Sequence, residues 1–119
     1  MDNFYDFFWH DAVIKNIIID RHNPGKKDEI HFNILFPNKR KTINFIFEEV
    51  YYASFNLNFG IIANETIDYV SLLDNDVDLV NLYSKRIGHL AHIKLIVYLI
   101  KLSSTGGTMK IISKSFRIE

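Results

Sequence analysis

The sequence predicts an α+β domain in which a single antiparallel sheet of about six to seven strands carries one main helix on a face. Three observations lead to this class. Apolar and polar residues alternate over most of the chain, which is the period of a half-buried strand. Only residues 76–90 show a clear helical period. Short runs rich in proline, glycine or asparagine separate the alternating segments and supply turns.

The first half of the chain contains four segments that we interpret as strands. The first ends at Asn23-Pro24-Gly25 and should pair with the second through that turn. The second and third flank Pro37-Asn38-Lys39-Arg40 and should form a hairpin. The fourth is either a separate strand or a continuation of the third past a bulge at Glu48-Glu49. The four predicted strands are Ala12–Arg21, Glu29–Phe36, Lys41–Glu48 and Val50–Phe59.

The main helix is predicted at Asp76–Leu90. Asp74 or Asp76 can cap its start, and Gly88 is the expected stop. The preceding segment, 65–73, suits a strand better than a helix. The residues expected on the buried face of the helix are Val77, Val80, Tyr83 and Ile87, with Leu79 and Leu82 at its borders.

The last part of the chain predicts a hairpin of two apolar strands, His92–Leu102 and Met109–Ile118, around the small residues Ser103–Gly107. Apolar faces of these strands and of the earlier ones should share one core. The residues expected to be buried together are Phe32, Phe45, Phe47, Leu95, Val97 and Ile111.

Length and composition favour one domain over residues 1–119. The 119 residues leave room for a single core, and 48% hydrophobic residues suffice to close it without a metal. The absence of cysteine excludes disulfides and thiolate chemistry, which fits the reducing cytoplasm.

The net charge and the apolar runs of the sequence indicate which classes of partner to expect. Fourteen basic and 14 acidic residues give a formal net charge of zero, so the basic surface of a nucleic-acid-binding domain is not expected. No membrane association is expected either, because the most apolar run, Ile93–Ile100, contains Lys94 and is about half the length of a spanning helix. A neutral protein lacks self-repulsion, so binding to another protein or to itself stays open.

Metal and cofactor sites are not predicted. None of the five histidines belongs to the helical pair with glutamate that zinc hydrolases use. The acidic run from Asp74 to Asp78 lacks the glycine and distal glutamate of a calcium-binding loop, so it is better explained as a helix cap. Residues 104–107 lack the lysine and the following helix of a phosphate-binding loop and are expected to form a β-turn.

Two groups of residues are candidate sites. Tyr52, Asn56 and Asn58 fall on the side of their strand opposite its apolar face, and tyrosine and asparagine make adaptable contacts with protein partners. Trp9-His10-Asp11 is an alternative pocket, in which Asp11 would orient His10 for proton transfer beside the indole ring. The competing interpretation, which we favour, is that Phe7, Phe8 and Trp9 anchor the amino-terminal segment on the core, with His10 and Asp11 hydrogen-bonding the sheet edge.

Several segments together resemble one family. They are Trp9-His10-Asp11, Asp20–Gly25, Asn58–Ile67, Ser103–Gly107 and the closing run Ile111–Phe116. In this succession the chain resembles the YxiG-like group of small uncharacterised bacterial proteins, over most of its length. These motifs are turn and strand signatures, so the resemblance implies a fold and carries over no catalytic residue. Members of such groups often occur near polymorphic toxin systems, which implies an immunity-type role.

We therefore expect a cytoplasmic bacterial protein that binds another protein and is not an enzyme. Its partner would be a toxin domain, which makes an immunity protein the leading hypothesis. A small ligand-binding domain or enzyme with a site near Trp9-His10-Asp11 is the alternative, and a homo-oligomer built through a strand edge is a third possibility.

Overall fold

A computed structural model describes residues 3–86, 88, 90 and 92–119. A short 3₁₀ turn at Phe4–Asp6 precedes six strands and one α-helix in the described part of the chain. The elements are β1 (Val13–Ile19), β2 (Ile30–Leu35), β3 (Ile43–Asn56), β4 (Ile67–Leu73), α1 (Val77–Lys85), β5 (Ile96–Leu102) and β6 (Thr108–Ile118). The predicted α+β class, with one antiparallel sheet and one helix, is confirmed.

All six strands belong to one open sheet in the order β1-β2-β3-β6-β5-β4, and every neighbouring pair is antiparallel. The three predicted hairpins, β1–β2, β2–β3 and β5–β6, are confirmed. The segment 65–73, ambiguous in sequence, contains strand β4 and pairs with β5. The two longest strands, β3 and β6, lie side by side at the centre of the sheet.

The two edge strands of the sheet approach each other at one end. The Asp11 N–H donates to Ile67 O over 2.8 Å, the Ile67 N–H donates to Ala12 O over 2.8 Å, and the Ile14 N–H donates to Glu65 O over 2.8 Å. These bonds curl the sheet, so one of its faces is concave and encloses the larger core.

The concave face is filled by aromatic rings. Trp9 and Phe4 lie on it, and the Trp9 Nε1–H donates to the Phe4 carbonyl over 2.6 Å. The ring centres of Phe45 and Phe116 are stacked 4.7 Å apart. The aromatic members of this cluster, buried or partly buried, are Phe4, Phe7, Trp9, Phe32, Phe36, Phe45, Phe47, Phe55, Tyr98 and Phe116. Such pairs stabilise beyond the area that they bury, and the amino-terminal segment is therefore part of the core.

Helix α1 packs on the opposite face of the sheet. The Asp76 carboxylate caps the helix by accepting from the Asp78 and Leu79 N–H groups over 3.0 and 3.3 Å, as the sequence predicted for this position. Lys110 of β6 donates to Asp76 over 2.8 Å and to Asp78 over 2.9 Å, which ties the start of the helix to the sheet. The apolar contacts of the helix are made by Leu79, Leu82 and Tyr83.

The helix differs from its prediction in length and in orientation. It ends at Lys85 instead of Leu90. Val77 and Val80, expected on the buried face, are 64% and 55% exposed, and Ile87 lies outside the described residues. The bonds from Lys110 to the first turn fix the rotation of the helix, so Val77 and Val80 point away from the sheet.

The predicted core is buried but divided between two clusters. Phe32, Phe45, Phe47 and Ile111 lie together on the concave face. Leu95 and Val97 are also buried, but they pack on the helix side. The cause is the register of β5, which places Val97 opposite Ile112 and Tyr98 opposite Ile111. Because β5 is apolar on both faces, its sequence does not reveal which set faces the larger core.

Candidate functional site

The long strand β3 is paired on both sides along only part of its length. Its first half, Ile43–Phe47, pairs with β2 on one side. From Phe45 to Asn56, β3 pairs with β6 on the other side. Among the described residues no strand pairs with Tyr51–Asn56 on the side where β2 lies. Since successive residues of a strand direct their backbone groups alternately to the two sides, every second residue here has an unpaired N–H and C=O.

A bulge separates the two halves of β3. Glu49 has a φ of +49°, and the register with β6 is irregular between Val50 and Tyr52. The Val50 N–H donates to Asp28 O over 2.9 Å, the last backbone bond on the β2 side. The expected continuation of the third strand past a bulge is therefore confirmed, although the register shift lies at Val50–Tyr52 and not at Glu48-Glu49. Bulges of this kind re-aim the side chains that follow them.

A cleft of about 490 Å³ lies along this unpaired edge. Its volume is in the range of small ligand-binding sites, about 300–1,000 Å³. The loop between β1 and β2 forms one part of its wall, the second half of β3 another, and Arg86 at the end of α1 a third. The residues that line it most directly beside the edge are Val50, Tyr51, Tyr52 and Ala53.

The six charged residues that line the cleft balance in sum, but its three carboxylates are ion-paired, whereas two of its three cations have no carboxylate partner among the described residues. Arg21 pairs with Asp28 at 3.0 Å, and Glu49 lies 3.8 Å from Lys114. Within the described ranges, Lys26 has no carboxylate oxygen within 4.0 Å. Arg86 likewise has no carboxylate oxygen of a described residue within 4.0 Å.

The remaining carboxylate of the wall, Glu29, is already engaged. It accepts from Arg117 over 2.9 Å and lies 3.1 Å from a ring nitrogen of His31. The hydrogen bond from Arg117 is the main reason that the pKa of Glu29 lies below its usual value. An acidic ligand in the cleft would therefore meet Lys26 and Arg86 without competition from Glu29.

The three residues predicted to bind a partner have different roles. Tyr52 lines the cleft but is half-buried and packs against the apolar cluster on the helix side of the sheet, so its face is not fully outward as predicted; Asn56 is exposed near the end of the unpaired edge. The Asn58 side-chain amide donates to Thr105 O over 2.8 Å, so it fastens the end of β3 to the β5–β6 turn. Two of the three thus lie on the unpaired half of β3.

The alternative site at Trp9-His10-Asp11 is divided between core and surface. Phe7 and Trp9 pack in the core as expected, but Phe8, also expected there, is 80% exposed. The His10 side chain is 69% exposed. A ring nitrogen of His10 lies 2.9 Å from Asp68 O. This contact, with the nearby Asp11 carboxylate, raises the pKa of His10. Because the indole faces the core, it does not line a pocket shared with the imidazole, and the predicted platform is absent.

Other predicted features are structural. No cluster of three or more potential metal ligands occurs within residues 3–86, 88, 90 and 92–119. The acidic run around Asp76 caps α1 and binds Lys110. The loop 103–107 is a turn whose hydroxyl groups serve the fold: Ser104 donates to Asn64 O, and Thr105 donates to Glu65 over 2.5 Å.

Sequence reasoning missed the residues that complete the cleft. Lys26 and Arg86 come from a loop and from a helix end, and no local pattern connects them with β3. Phe59, the last residue of the predicted strand Val50–Phe59, is 83% exposed because the strand ends at Asn56. Ile62 in the same loop is also fully exposed.

None of the helices in the described part is long and apolar enough to span a membrane. A comparison with protein-family models and with curated proteins found no match for this chain. The resemblance to the YxiG-like group therefore stays a prediction.

Proposed function

We propose that this chain is a non-enzymatic protein-binding module of the bacterial cytoplasm that acts as an immunity protein by binding a toxin domain. The observation that carries the proposal is the unpaired edge of β3 at Tyr51–Asn56, which lies open in a cleft. The immunity role rests in addition on the resemblance to the YxiG-like group.

An open strand edge supports binding because it presents a row of unsatisfied backbone donors and acceptors. Proteins usually protect such an edge with charged residues, proline or a covering element. The segment Tyr51–Asn56 contains no charged residue and no proline. Its side chains are instead those favoured in adaptable protein contacts, with Tyr52 and Asn56 beside the edge.

The enzymatic alternative has less support. It required Trp9 and His10 to line one concave site, and their side chains lie in different environments. His10 has carboxylates nearby, but its exposure gives it the ordinary surroundings of a surface imidazole.

The proposal predicts that the neighbouring gene encodes a large secreted protein with a variable C-terminal domain; a neighbourhood of metabolic enzymes would contradict it. It is tested by co-expressing the chain with that domain. We expect protection of growth and a stable complex on size-exclusion chromatography. Tyr52→Asp should abolish both, since it places a charge in the contact surface, and circular dichroism should show that the variant is folded, because Tyr52 also packs against the apolar cluster on the helix side. The matched control is His10→Ala, which is exposed and distant in sequence from β3, and which should protect fully. Lack of binding by the wild-type chain, or full protection by Tyr52→Asp, would contradict the proposal.

A further inference from the structure

We propose that the cleft beside β3 takes an extended acidic segment of the partner protein, which adds to the sheet as a strand along Tyr51–Asn56. This inference rests on the proposed function and specifies its partner. The segment would replace on this half of β3 the pairing that β2 supplies on the other half.

The backbone geometry selects an extended chain. β2 begins at Ile30, and the bond from Val50 to Asp28 is the last on that side, so an incoming strand could begin its pairing just beyond this point. The open edge is about 20 Å long at about 3.3 Å per residue, so a segment of about six residues would fill it. Main-chain hydrogen bonds would supply the affinity, as in other cases of strand addition.

The charges select an acidic segment. Lys26 and Arg86 lie in the wall of the cleft, and within the described residues no carboxylate contacts either of them. The three carboxylates in the same wall lie beside other cations: Asp28 beside Arg21, Glu49 at 3.8 Å from Lys114, and Glu29 beside Arg117, which also binds Glu48. An aspartate or glutamate in the incoming strand would form charge-assisted hydrogen bonds with Lys26 and Arg86, whereas a lysine would be repelled.

The same charges argue against a second copy as the occupant. Two copies related by a two-fold axis would pair Tyr51–Asn56 with itself. That segment has no acidic residue, so such a pair would leave Lys26 and Arg86 without a counter-charge. A separate partner strand satisfies the edge and the cations together.

The test uses a synthetic peptide, the end-capped hexapeptide Thr-Val-Glu-Val-Glu-Val, and its counterpart with both glutamates replaced by lysine. We expect the glutamate peptide to shift the backbone amide resonances of Tyr51–Asn56 and to slow their hydrogen exchange. The lysine peptide should bind at least about tenfold more weakly. A peptide of the same sequence with N-methylated backbone should not bind, because it lacks the donors for strand addition.

A charge swap sharpens the assignment. The double variant Lys26→Glu, Arg86→Glu should prefer the lysine peptide, which reverses the wild-type order. The double variant Lys39→Glu, Arg40→Glu, in the exposed β2–β3 turn, makes the same net charge change away from the cleft and should keep the wild-type preference. Circular dichroism would show that the variants are folded.

Several outcomes would overturn the inference. They are absence of binding by the glutamate peptide at millimolar concentration, equal binding of the two peptides, and retained binding of the N-methylated peptide. Concentration-dependent shifts of the same amides without peptide, with a dimer in light scattering, would instead identify a second copy as the occupant. If the peptides fail while Tyr52→Asp still abolishes toxin binding, the proposed function stands and this mode of binding is wrong.

Discussion

The two halves of β3 have similar residues and different surroundings. Phe45, Ile46 and Phe47 are buried between β2 and β6, whereas Tyr51–Asn56 pairs only with β6 and is half-buried or exposed. Both halves are rich in aromatic residues. The difference is set by where β2 begins, at Ile30, and by the bulge between Val50 and Tyr52. The comparison teaches that the pairing of a strand, more than its own composition, decides whether it belongs to the core or to a surface.

The largest expected effect comes from removing a ring in the doubly paired half. Phe45→Ala should lower the free energy of unfolding by about 3–5 kcal/mol, because the ring is completely buried and stacked on Phe116. Phe55→Ala, in the singly paired half, should cost about 1–2 kcal/mol, since that ring is only partly buried. Urea unfolding monitored by circular dichroism measures both. Equal losses would show that the two halves are equally part of the core.

A second prediction concerns the end of the singly paired half. A Cβ at Gly107 would lie 2.6 Å from Asn56 O and 3.1 Å from a methyl carbon of Leu102, so Gly107→Ala forces the backbone of β3 to shift. We expect a loss of about 2–3 kcal/mol. Gly25→Ala is the contrasting variant: a Cβ there would meet nothing within 4 Å, so only the left-handed φ of +85°, which Gly107 does not share, should cost about 1 kcal/mol. Thermal melts would detect the difference.

A third prediction uses pH to test whether the ion pair between Lys110 of β6 and Asp76 at the start of α1 stabilises the sheet beside the singly paired half of β3. Lys110, opposite Ser54 in the sheet, binds Asp76. Burial alone would raise the pKa of Asp76, but Lys110 and the backbone donors of Leu79 and Asp78 outweigh it and lower the pKa below 3.8. The resulting stability is present above the unfolded pKa and is lost as pH falls through the lower folded pKa.

Asp76→Asn keeps a capping side chain and removes the charge, so it should cost about 1–2 kcal/mol at neutral pH. The difference from the wild-type protein should shrink as pH falls below about 4. Urea unfolding at a series of pH values measures it, and Asp74→Asn is the control variant. A difference that is independent of pH would exclude the ion pair as its cause.

The smallest effect is expected in the doubly paired half, on the face opposite the aromatic core. The sequence predicts that this face is wet and that His31→Ala costs less than about 0.5 kcal/mol. The structure corrects the premise, since His31 is only one-quarter exposed and contacts Glu29 at 3.1 Å and Asn44 at 3.4 Å. We now expect about 0.5–1 kcal/mol. A loss as large as that of Phe45→Ala would show that the two faces are energetically alike.

Local sequence patterns predicted where the strands, turns and helix lie. Which of their faces are buried depends on long-range pairing, and there the prediction was partly wrong. Turn residues such as Asn23-Pro24-Gly25 identified the hairpins, and Asp76 identified the start of the helix. The face of β5 was wrong, since Leu95 and Val97 lie in an apolar run whose two faces are alike. The buried side of α1 was right for Tyr83 and wrong for Val77 and Val80, because its rotation depends on Lys110, a residue of a different element.

The candidate site was predictable only in part, for the same reason. Alternation in β3 identified Tyr52 and Asn56, because that signal is local. The open edge beside them depends on the length of β2, and the wall of the cleft depends on Lys26 and Arg86. Such relations join residues that are far apart in sequence and become visible only when the strands are placed side by side.

The central position of β3 and β6 has a consequence for how the chain folds. Residues 45 and 118 pair at one end of these strands, and residues 56 and 108 pair at the other. A large loop must therefore close before the middle of the sheet can form, and the entropy of that closure precedes any stabilising contact. We expect slow folding, in milliseconds to seconds, as for other domains dominated by non-local strand pairing. Before β6 pairs, the second half of β3, Tyr51–Asn56, would have no neighbouring strand on either side. The nascent chain should therefore be most prone to aggregation in that interval.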